Sequence, residues 1–238
     1  MTIAIHQPNY LPWPGYFLKM ASCDTFVFLD HVKYTKSGYT RRTKIQHNNG
    51  SDQWLTVPLA KHSDFSPIKE LQVAHNHWAQ KHQSLLYERY HRLPFYHECM
   101  DVMHPLIQNI KSGKSLSHVN MQIILEIKDE LGLSCNTLVS SNLPLDNTYA
   151  DVNMDICKAI AASEYISGKG GDKYQNGEVY LSKGIELKIL DSKQVLEERI
   201  KDKSLHAYIT RSIVELWSHV GIEQLRIWMH QEIGLKSD

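Results

Sequence analysis

The sequence predicts an α/β fold with an open, mainly parallel sheet in its N-terminal part and a largely helical middle and C-terminal part. Two short apolar runs, residues 2–5 and 25–29, flank a segment of helix length, which is the pattern of a β-α-β unit. Apolar residues then recur at helical spacing over residues 78–131. Apolar runs at 136–139 and 185–190 predict a return to strands, so strands and helices alternate as in a sheet of parallel strands.

The loop after the first strand, residues 6–14, is the most informative segment of the chain. It reads His6-Gln7-Pro8-Asn9-Tyr10-Leu11-Pro12-Trp13-Pro14 and leads into a helix predicted over 15–22. Three prolines make the loop stiff, so its polar side chains would be held at low entropic cost. Because ligands of open α/β sheets bind beyond the carboxyl ends of the strands, this loop is predicted to bind substrate. The alternative is an ordinary strand-to-helix connection whose aromatic residues cover the edge of the core.

The loop after the second strand, residues 30–44, concentrates cations and tyrosines. Its polar residues include Asp30, Lys33, Tyr34, Arg41 and Arg42. A right-handed β-α-β crossover places the loops after both strands at one edge of the sheet, so this loop is expected to share a crevice with residues 6–14. Cations and aromatic rings together suit phosphate and ring-shaped groups. Solvated loop charges are the alternative.

The remaining elements follow from periodicity and turn signals. Asn49-Gly50 between 43–46 and 53–57 predicts a β-hairpin, and 70–73 fits a short strand. Breaks at Pro94 and at 111–115 divide the helical stretch into three helices, with Ser115 or Ser117 able to cap the third. A helix is expected over 149–162, a brief strand at 165–166, and helix over 204–233 with an interruption near Gly221. We predict one domain over 1–238 with a helical subdomain at 77–133.

Composition excludes several classes of function. The 26 basic residues balance 26 acidic ones, so no global field would attract nucleic acid or an anionic membrane. The four cysteines are scattered without paired spacing, and neither a signal peptide nor a membrane-length apolar run is visible. We therefore expect a cytoplasmic, reduced protein without membrane insertion. The 14 histidines show no metal-ligand spacing, so no metal is predicted.

A glycine-rich loop follows the strand predicted at 165–166. It contains Ser167, Gly168, Gly170 and Gly171, with Tyr174 three residues further on. Its spacing matches neither the phosphate loop of nucleoside triphosphatases nor the dinucleotide fingerprint. Glycines still let backbone N–H groups approach an anion, so a phosphate or nucleotide contact is predicted, with a flexible turn as the alternative.

No nucleophilic triad is evident, so hydrolase chemistry is not indicated. His6 is the natural general base, because imidazole titrates near neutral pH and this one stands where a strand ends. We assign catalytic roles to His6, Tyr10 and Asp30. Substrate binding is assigned to the polar residues of the loops and the first helix, and to the glycine-rich loop: Gln7, Asn9, Tyr16, Lys19, Lys33, Tyr34, Arg41, Arg42, Ser167, Gly168, Gly170, Gly171 and Tyr174.

These residues carry a resemblance to a known family. The opening at 6–17, the segments 23–30 and 32–34, and the later stretches 42–45, 165–174 and 212–221 resemble the WbqC-like protein family. One departure is Arg41, which stands where the family usually has asparagine. The family occurs in bacterial gene clusters for surface polysaccharides such as O-antigen, so the resemblance implies modification of a sugar.

The resemblance implies a transferase that attaches an acyl or aminoacyl group, for example glycyl, to the amine of a nucleotide-linked amino sugar. The order strand, proline-containing loop, Gly15-Tyr16 is also similar to the Rossmann-like layout of nucleotidylyltransferases and pantothenate synthetase-like ligases, where Gly-His stands at that point. That likeness implies ATP with Mg²⁺ as one route to an activated donor, and a carrier-bound thioester is the other. The alternatives are a non-catalytic nucleotide-sugar binding or scaffold protein, and an adenylate-forming amide ligase or nucleotidyltransferase.

Overall fold

The computed structural model describes residues 1–75, 77–145, 151–171, 175–231 and 236–237. Its larger sheet has six strands in the order β5-β2-β1-β6-β7-β8. Every neighbouring pair is parallel except β7 and β8. The strands are β1 (Thr2–His6), β2 (Thr25–Phe28), β5 (Asn136–Val139), β6 (Glu164–Gly168), β7 (Glu186–Leu190) and β8 (Lys236–Ser237). The predicted α/β class with an open, mainly parallel sheet is confirmed.

The predicted β-α-β opening is also confirmed. Helix α1 (Pro14–Ala21) joins β1 to β2, and Ile3 pairs with Thr25 in parallel register. Pro14 occupies the first helical turn, where its missing N–H costs no hydrogen bond. Both strands are buried on both faces, which explains why they read as continuous apolar runs.

Two hydrophobic clusters cover the faces of the sheet. Ile3, Ile5 and Val27 point to one face and pack with Met154 and Ile156. Ala4, Phe26 and Phe28 point to the other face, where the cluster also takes in the apolar stripes of the helical middle. The chain around β1 is therefore held rigidly from both sides.

The helical middle consists of α2 (His77–Tyr90), α3 (Tyr96–Gln108) and α4 (Leu116–Glu130). Ser115 caps α4 by accepting a hydrogen bond from the His118 N–H. The later helices are α5 (Val152–Ala159), α6 (Gly177–Ser182), α7 (Ser192–Arg199), α8 (Ile213–Val220) and α9 (Ile222–His230). Gly221 separates α8 from α9 with a left-handed φ of 80°, which glycine adopts without a steric penalty. In the described part of the chain, no helix combines the length and apolarity that crossing a membrane requires.

The hairpin at Asn49-Gly50 forms a separate two-stranded antiparallel sheet of β3 (Arg42–Gln46) and β4 (Asp52–Thr56). The prediction of a short strand at 70–73 is wrong in part. Residues Ile68–Glu70 form a 3₁₀ turn, and Gln72 and Val73 make only isolated bridges. The sequence patterns do not predict α6 and α7. The apolar pattern of both helices is weak, and short capped helices such as α7 depend on tertiary packing for their stability.

The position of β1 fixes where a ligand can bind. Its neighbours are β2, the next strand along the chain, and β6, which follows more than 130 residues later in the sequence. From β1 the chain first adds strands on one side, β2 and β5, and then on the other side, β6 and β7, so the order of strands across the sheet changes direction at β1. Such a switch point leaves a crevice beyond the carboxyl ends of the two strands, because their connections leave in opposite directions.

Candidate functional site

A crevice of about 790 Å³ opens at this switch point, beyond the ends of β1, β6 and β7. Its size is in the range of small-molecule sites. The wall comes from the three strand ends, the starts of α1 and α7, one residue of α5 and the loop after β6. These residues are Ile5, His6, Trp13, Gly15, Tyr16, Lys19, Asn153, Tyr165, Ser167, Gly168, Lys169, Gly170, Gly171, Gln175, Leu190, Asp191, Ser192 and Lys193.

His6, the last residue of β1, presents an uncharged imidazole to the crevice. Its Nδ1 lies 3.1 Å from the carbonyl oxygen of Gln7, and a carbonyl only accepts, so Nδ1 carries the proton. Nε2 is then the basic nitrogen. Burial, and next the positive charge of Lys19, lower the pKa of His6 to about 4. The imidazole is therefore neutral at physiological pH, and its low pKa makes Nε2 a weak base while no ligand offsets the charge of Lys19.

Lys19 on α1 places a buried cation beside His6. It is 5% exposed, and its ammonium donates a hydrogen bond of 2.8 Å to the carbonyl of Ile5. Burial lowers the pKa of Lys19 to about 8; the nearby Cys23 thiol raises that pKa by a smaller amount, and no carboxylate of the described residues contributes to it. A buried ammonium without an acidic partner is costly, so an anionic ligand in the crevice would be stabilised by it.

Tyr16, in the first turn of α1, packs against His6. Its hydroxyl donates to the same Gln7 carbonyl that His6 uses, at 3.1 Å, and its ring centroid lies 4.8 Å from that of His6. Tyr16 is buried, and burial raises the pKa of its hydroxyl, which therefore remains protonated. The tyrosine thus fixes the orientation of the imidazole.

The loop 6–14 is held from several sides, as its prolines lead one to expect. Leu11 has a left-handed φ of 42°, an uncommon conformation for a residue with a branched side chain. Surrounding elements donate hydrogen bonds to the loop: Thr40 Oγ1 to Gln7 Oε1, Asn120 Nδ2 to Pro8 O, Thr43 Oγ1 to Leu11 O, and the Ile213 N–H to Pro12 O. Such over-determination is what maintains local backbone strain beside a binding site.

The glycine-rich loop after β6 forms the facing wall. A Cβ at Gly171 would lie 2.3 Å from Ser167 Oγ and 3.2 Å from the Gly168 carbonyl oxygen, so a side chain here would have to displace the Ser167 hydroxyl. A Cβ at Gly168 or Gly170 would meet no atom of the described chain within 4 Å. Sterics within that part of the chain therefore do not require glycine at 168 and 170, and the open space there admits a ligand close to the backbone.

The start of α7 completes the crevice. Asp191 caps α7 by accepting from the Gln194 N–H at 3.1 Å, and it pairs with Lys169 at 2.5 Å. The ion pair with Lys169 lowers the pKa of Asp191. Gly15 allows α1 to approach, since a Cβ there would lie 2.7 Å from Ser192 Cβ. Two helix N-termini, those of α1 and α7, therefore meet at one crevice.

Two amide oxygens in the wall remain without partners among the described residues. Asn153 Oδ1 and Gln175 Oε1 are buried and accept no hydrogen bond there, although the Gln175 amide donates to the Tyr165 hydroxyl at 3.2 Å. Buried acceptors normally find donors, so both are suited to hydroxyl or amine groups of a ligand.

The crevice thus combines a neutral imidazole, a buried ammonium without an acidic partner in the described chain, the N-terminal turn of α1 and two amide acceptors. The sequence profile of the WbqC-like protein family matches residues 7–227, which span nearly all of these groups. The chain belongs to the WbqC-like protein family.

A curated relative of this WbqC-like chain is an uncharacterized protein, Rv1507c, of Mycobacterium tuberculosis (strain ATCC 25618 / H37Rv). The two are 30% identical over 179 residues, which is 75% of this chain and 77% of the relative. No solved structure matches the chain.

The crevice of this WbqC-like chain gathers part of the predicted site. His6, Tyr16, Lys19, Ser167, Gly168, Gly170 and Gly171 line it. Gln7 stands at its edge and orients His6 and Tyr16 through its backbone carbonyl. Tyr174 lies outside the described residues.

Tyr10 carries a predicted catalytic role, but the structure directs its hydroxyl away from the crevice. The side chain is fully buried, and Oη lies 3.0 Å from His82 Nδ1 on α2. Its ring also packs edge-on against Trp78. Asn9 is predicted to contact substrate, and it is likewise buried.

Asp30 lies on the other side of β1 from the crevice wall. Its carboxylate accepts hydrogen bonds from Ser140 Oγ at 3.1 Å, the Ser141 N–H at 3.0 Å and Ser141 Oγ at 2.9 Å. The residue is 3% exposed. These bonds join the end of β2 to the turn after β5.

The basic loop contributes no side chain to the described crevice wall, contrary to the shared crevice that the β-α-β unit suggested. Lys33 lies over the ring of Phe65, and Arg42 donates to the Gly38 and Ser37 carbonyls while covering the ring of Trp54. Tyr34 is buried, and Arg41 Nε is buried as well. The loop contacts residues 6–14 through hydrogen bonds such as that of Thr40 with Gln7. The reason is strand order: β2 and β5 lie on one side of β1, and the crevice opens on the other.

Sequence reasoning missed the wall contributed by β7, α7 and α5. Asp191-Ser192 directly after an apolar strand is a helix-cap signal that could have revealed α7. Asn153 and Gln175 carry no comparable local signal.

Proposed function

We propose that this WbqC-like protein is a transferase that attaches an acyl or aminoacyl group, for example glycyl, to the amine of a nucleotide-linked amino sugar in the biosynthesis of surface polysaccharide. The observation that carries the proposal is the pairing, in one crevice, of neutral His6 with the buried cation of Lys19, which has no acidic partner among the described residues.

The cation supports an anionic substrate. The diphosphate of a nucleotide sugar would compensate the Lys19 ammonium, and Lys193 lines the same crevice at the start of α7. The glycines at 168 and 170 leave the backbone accessible to the phosphate oxygens. Asn153 Oδ1 and Gln175 Oε1 are acceptors for the hydroxyl groups of the sugar.

His6 supports the proton transfer that amide formation needs. The sugar amine attacks the acyl carbonyl, a C–N bond forms, the bond from the acyl carbon to the donor's leaving group breaks, and Nε2 of His6 takes the proton that the amine loses. The leaving group departs with the acyl bond electrons and is protonated from His6 or water. A bound diphosphate would offset the charge of Lys19, the second of the causes that lower the His6 pKa, and would thereby make His6 a stronger base.

The first turn of α1 supports the oxyanion of the tetrahedral intermediate. Pro14 has no N–H and the Tyr16 N–H donates to the Trp13 carbonyl at 3.0 Å, so the Gly15 N–H is the donor of this turn that we assign to the oxyanion. Tyr16 keeps the imidazole oriented through Gln7.

The residues present fit the phosphates of ATP, the co-substrate of the adenylate route, as well as they fit a nucleotide sugar. Among the described residues, no group of three or more His, Cys, Asp or Glu side chains converges as a cation site. Mg²⁺ on that route would therefore enter with the phosphates of the nucleotide, as is usual for this ion.

The test is product formation followed by mass spectrometry. The protein is incubated with a panel of UDP- and dTDP-linked amino sugars, with glycine or other acids plus ATP and Mg²⁺, and separately with acyl thioesters. The expected result is a sugar whose mass has increased by one acyl or aminoacyl group. A requirement for ATP identifies the adenylate route, whereas product from thioesters alone identifies the carrier-bound donor.

The matched variant is His6→Asn, whose amide can still donate to the Gln7 carbonyl but has no basic nitrogen. General bases contribute about 10²- to 10⁴-fold, so kcat should fall by that factor while nucleotide-sugar binding persists. Tight binding without product from any donor would contradict the transferase and favour a binding or scaffold protein. Pyrophosphate release without an acyl donor would instead favour a nucleotidyltransferase.

A further inference from the structure

A second cavity, of about 330 Å³, lies at the C-terminal end of α1, where the chain enters β2 and β5. Two cysteines line it, Cys23 after α1 and Cys135 before β5, together with the sulfur-containing side chains of Met20 and Met229. Cys23 is half-buried and Cys135 is 6% exposed, so Cys23 is the more accessible of the two.

The sheet register brings the two cysteine backbones together. Thr25 of β2 pairs with Asn136 of β5, and the Asn136 N–H donates to the Asp24 carbonyl at 2.8 Å. In this register Cys135 stands opposite Asp24, so Cys23 is offset from Cys135 by one residue along the chain. Neighbouring strands lie about 4.8 Å apart and each residue rises about 3.3 Å, so on strand geometry an offset of one residue gives a Cα separation of about 6 Å. A disulfide joins Cα atoms roughly 4.4–6.8 Å apart, so this diagonal placement meets its requirement.

Both cysteines line the same cavity, and the Cys23 thiol donates to the Met20 carbonyl at 3.4 Å. Interaction with the neighbouring Cys23 thiol is the main cause that lowers the pKa of Cys135. Lys128 adds a favourable charge for the Cys135 thiolate. The other two cysteines lie apart: Cys99 is buried among helices, and Cys157 belongs to the cluster on the other face of the sheet.

We propose that Cys23 and Cys135 form a reversible disulfide, so that this cavity is a thiol-disulfide site separate from the crevice. The oxidant class is a low-molecular-weight disulfide such as glutathione disulfide. The thiolate of one of the two cysteines attacks a sulfur of the oxidant and releases one glutathione as its thiolate. The second cysteine then attacks the mixed disulfide and releases the other. Two protein thiols and one glutathione disulfide thus give one protein disulfide and two glutathione molecules.

The site lies on the helix that also carries Lys19, because α1 runs from the crevice to this cavity. A disulfide here would tie the end of α1 to the start of β5. It would therefore connect the redox state of the surroundings to the element that positions the crevice cation.

The experiment is oxidation of the folded, full-length protein in mixtures of reduced and oxidised glutathione at graded ratios. Free thiols are counted after quenching, and non-reducing peptide maps identify the linked residues by mass. We expect two of the four thiols to disappear together, one peptide pair to be linked through Cys23 and Cys135 with loss of two hydrogen atoms, and full reversal by excess reduced glutathione.

Variants separate this pair from other chemistry. Cys157→Ala should form the same linkage, whereas Cys23→Ser should form none and should retain glutathione on Cys135 as a mixed disulfide. The proposal is overturned if the linked peptide is absent at oxidising ratios, or if it forms only after unfolding in urea. Far-UV circular dichroism confirms that each variant is folded.

Discussion

The two sides of β1 have similar polar residues but opposite hydrogen-bonding status. On the side of β2 and β5, the carboxylate of Asp30 accepts three hydrogen bonds and the guanidinium of Arg42 donates two to carbonyls. On the side of β6 and β7, the ammonium of Lys19 donates one hydrogen bond, to the Ile5 carbonyl, and it pairs with no carboxylate among the described residues. Nε2 of His6 is the basic nitrogen in the tautomer that the Gln7 carbonyl selects.

The sign and density of polar residues therefore do not locate a site by themselves. Charged groups whose hydrogen bonds are made within the chain stabilise the fold, and they have little left for a ligand. Charged groups that are buried but unpaired cost stability, and the fold retains them where a ligand supplies the partner. For this reason we propose that the substrate binds between His6 and the glycine-rich loop.

The largest expected effect in this comparison follows Lys19→Met, which removes the buried cation while keeping much of its volume. Loss of a buried charge-assisted contact with a phosphate should raise KM for the nucleotide sugar about 10- to 100-fold and change kcat less. Michaelis–Menten kinetics measure the split. Lys201→Met is the matched control, since Lys201 is exposed beyond α7 and its ammonium donates to the nearby Glu198 carbonyl. Equal KM values for both variants would contradict the assignment of Lys19 to phosphate binding.

Asp30→Asn tests the other side of β1. The change removes a charge that accepts three hydrogen bonds, and it should lower the free energy of unfolding by about 1–3 kcal/mol. Urea denaturation measures this loss, with Asp101→Asn on the exposed face of α3 as the control. The folded variant should retain full turnover. If turnover instead drops by about 100-fold or more while folding is unchanged, which is the size expected for a general base, Asp30 has the catalytic role that the sequence suggested.

The pH dependence probes the same contrast. Burial lowers the pKa of Lys19 to about 8, so the cation is lost as the pH rises above 8, and kcat/KM should fall about tenfold by one pH unit above that value. Burial lowers the pKa of His6 to about 4, so the imidazole stays uncharged down to that pH. The fall of kcat/KM on the acid side should therefore occur near pH 4. Lys19→Arg keeps its charge at high pH and should abolish the alkaline limb. An alkaline limb unchanged in this variant would assign it to another group.

Much of the fold was predictable because its signals are local. The apolar runs of β1 and β2, the Asn49-Gly50 turn and the helical stripes of α2 to α4 each lie within about 15 residues of sequence. The stiffness of loop 6–14 and the places of His6 and Lys19 in the crevice wall also follow from their position at and after the end of the first strand.

Strand order was not predictable in the same way, because it depends on contacts between distant segments. The pairing of β1 with β6 decides on which side of β1 the crevice opens. Tyr10 lies in a loop in the sequence pattern, yet its hydroxyl forms a hydrogen bond with His82 Nδ1, 72 positions away. Cys23 and Cys135 look scattered in the sequence, and only the register of β2 with β5 brings them together. All three features depend on long-range packing, which local sequence patterns do not record.

A crystal structure of the protein soaked with a nucleotide-linked amino sugar would locate the substrate directly. We predict that the diphosphate binds within hydrogen-bonding distance of Lys19 and near the backbone at Gly168 and Gly170, with the sugar amine close to Nε2 of His6. A sugar nucleotide bound instead over the loop of Lys33 and Arg42, with the crevice between β1 and β6 unoccupied, would contradict this assignment.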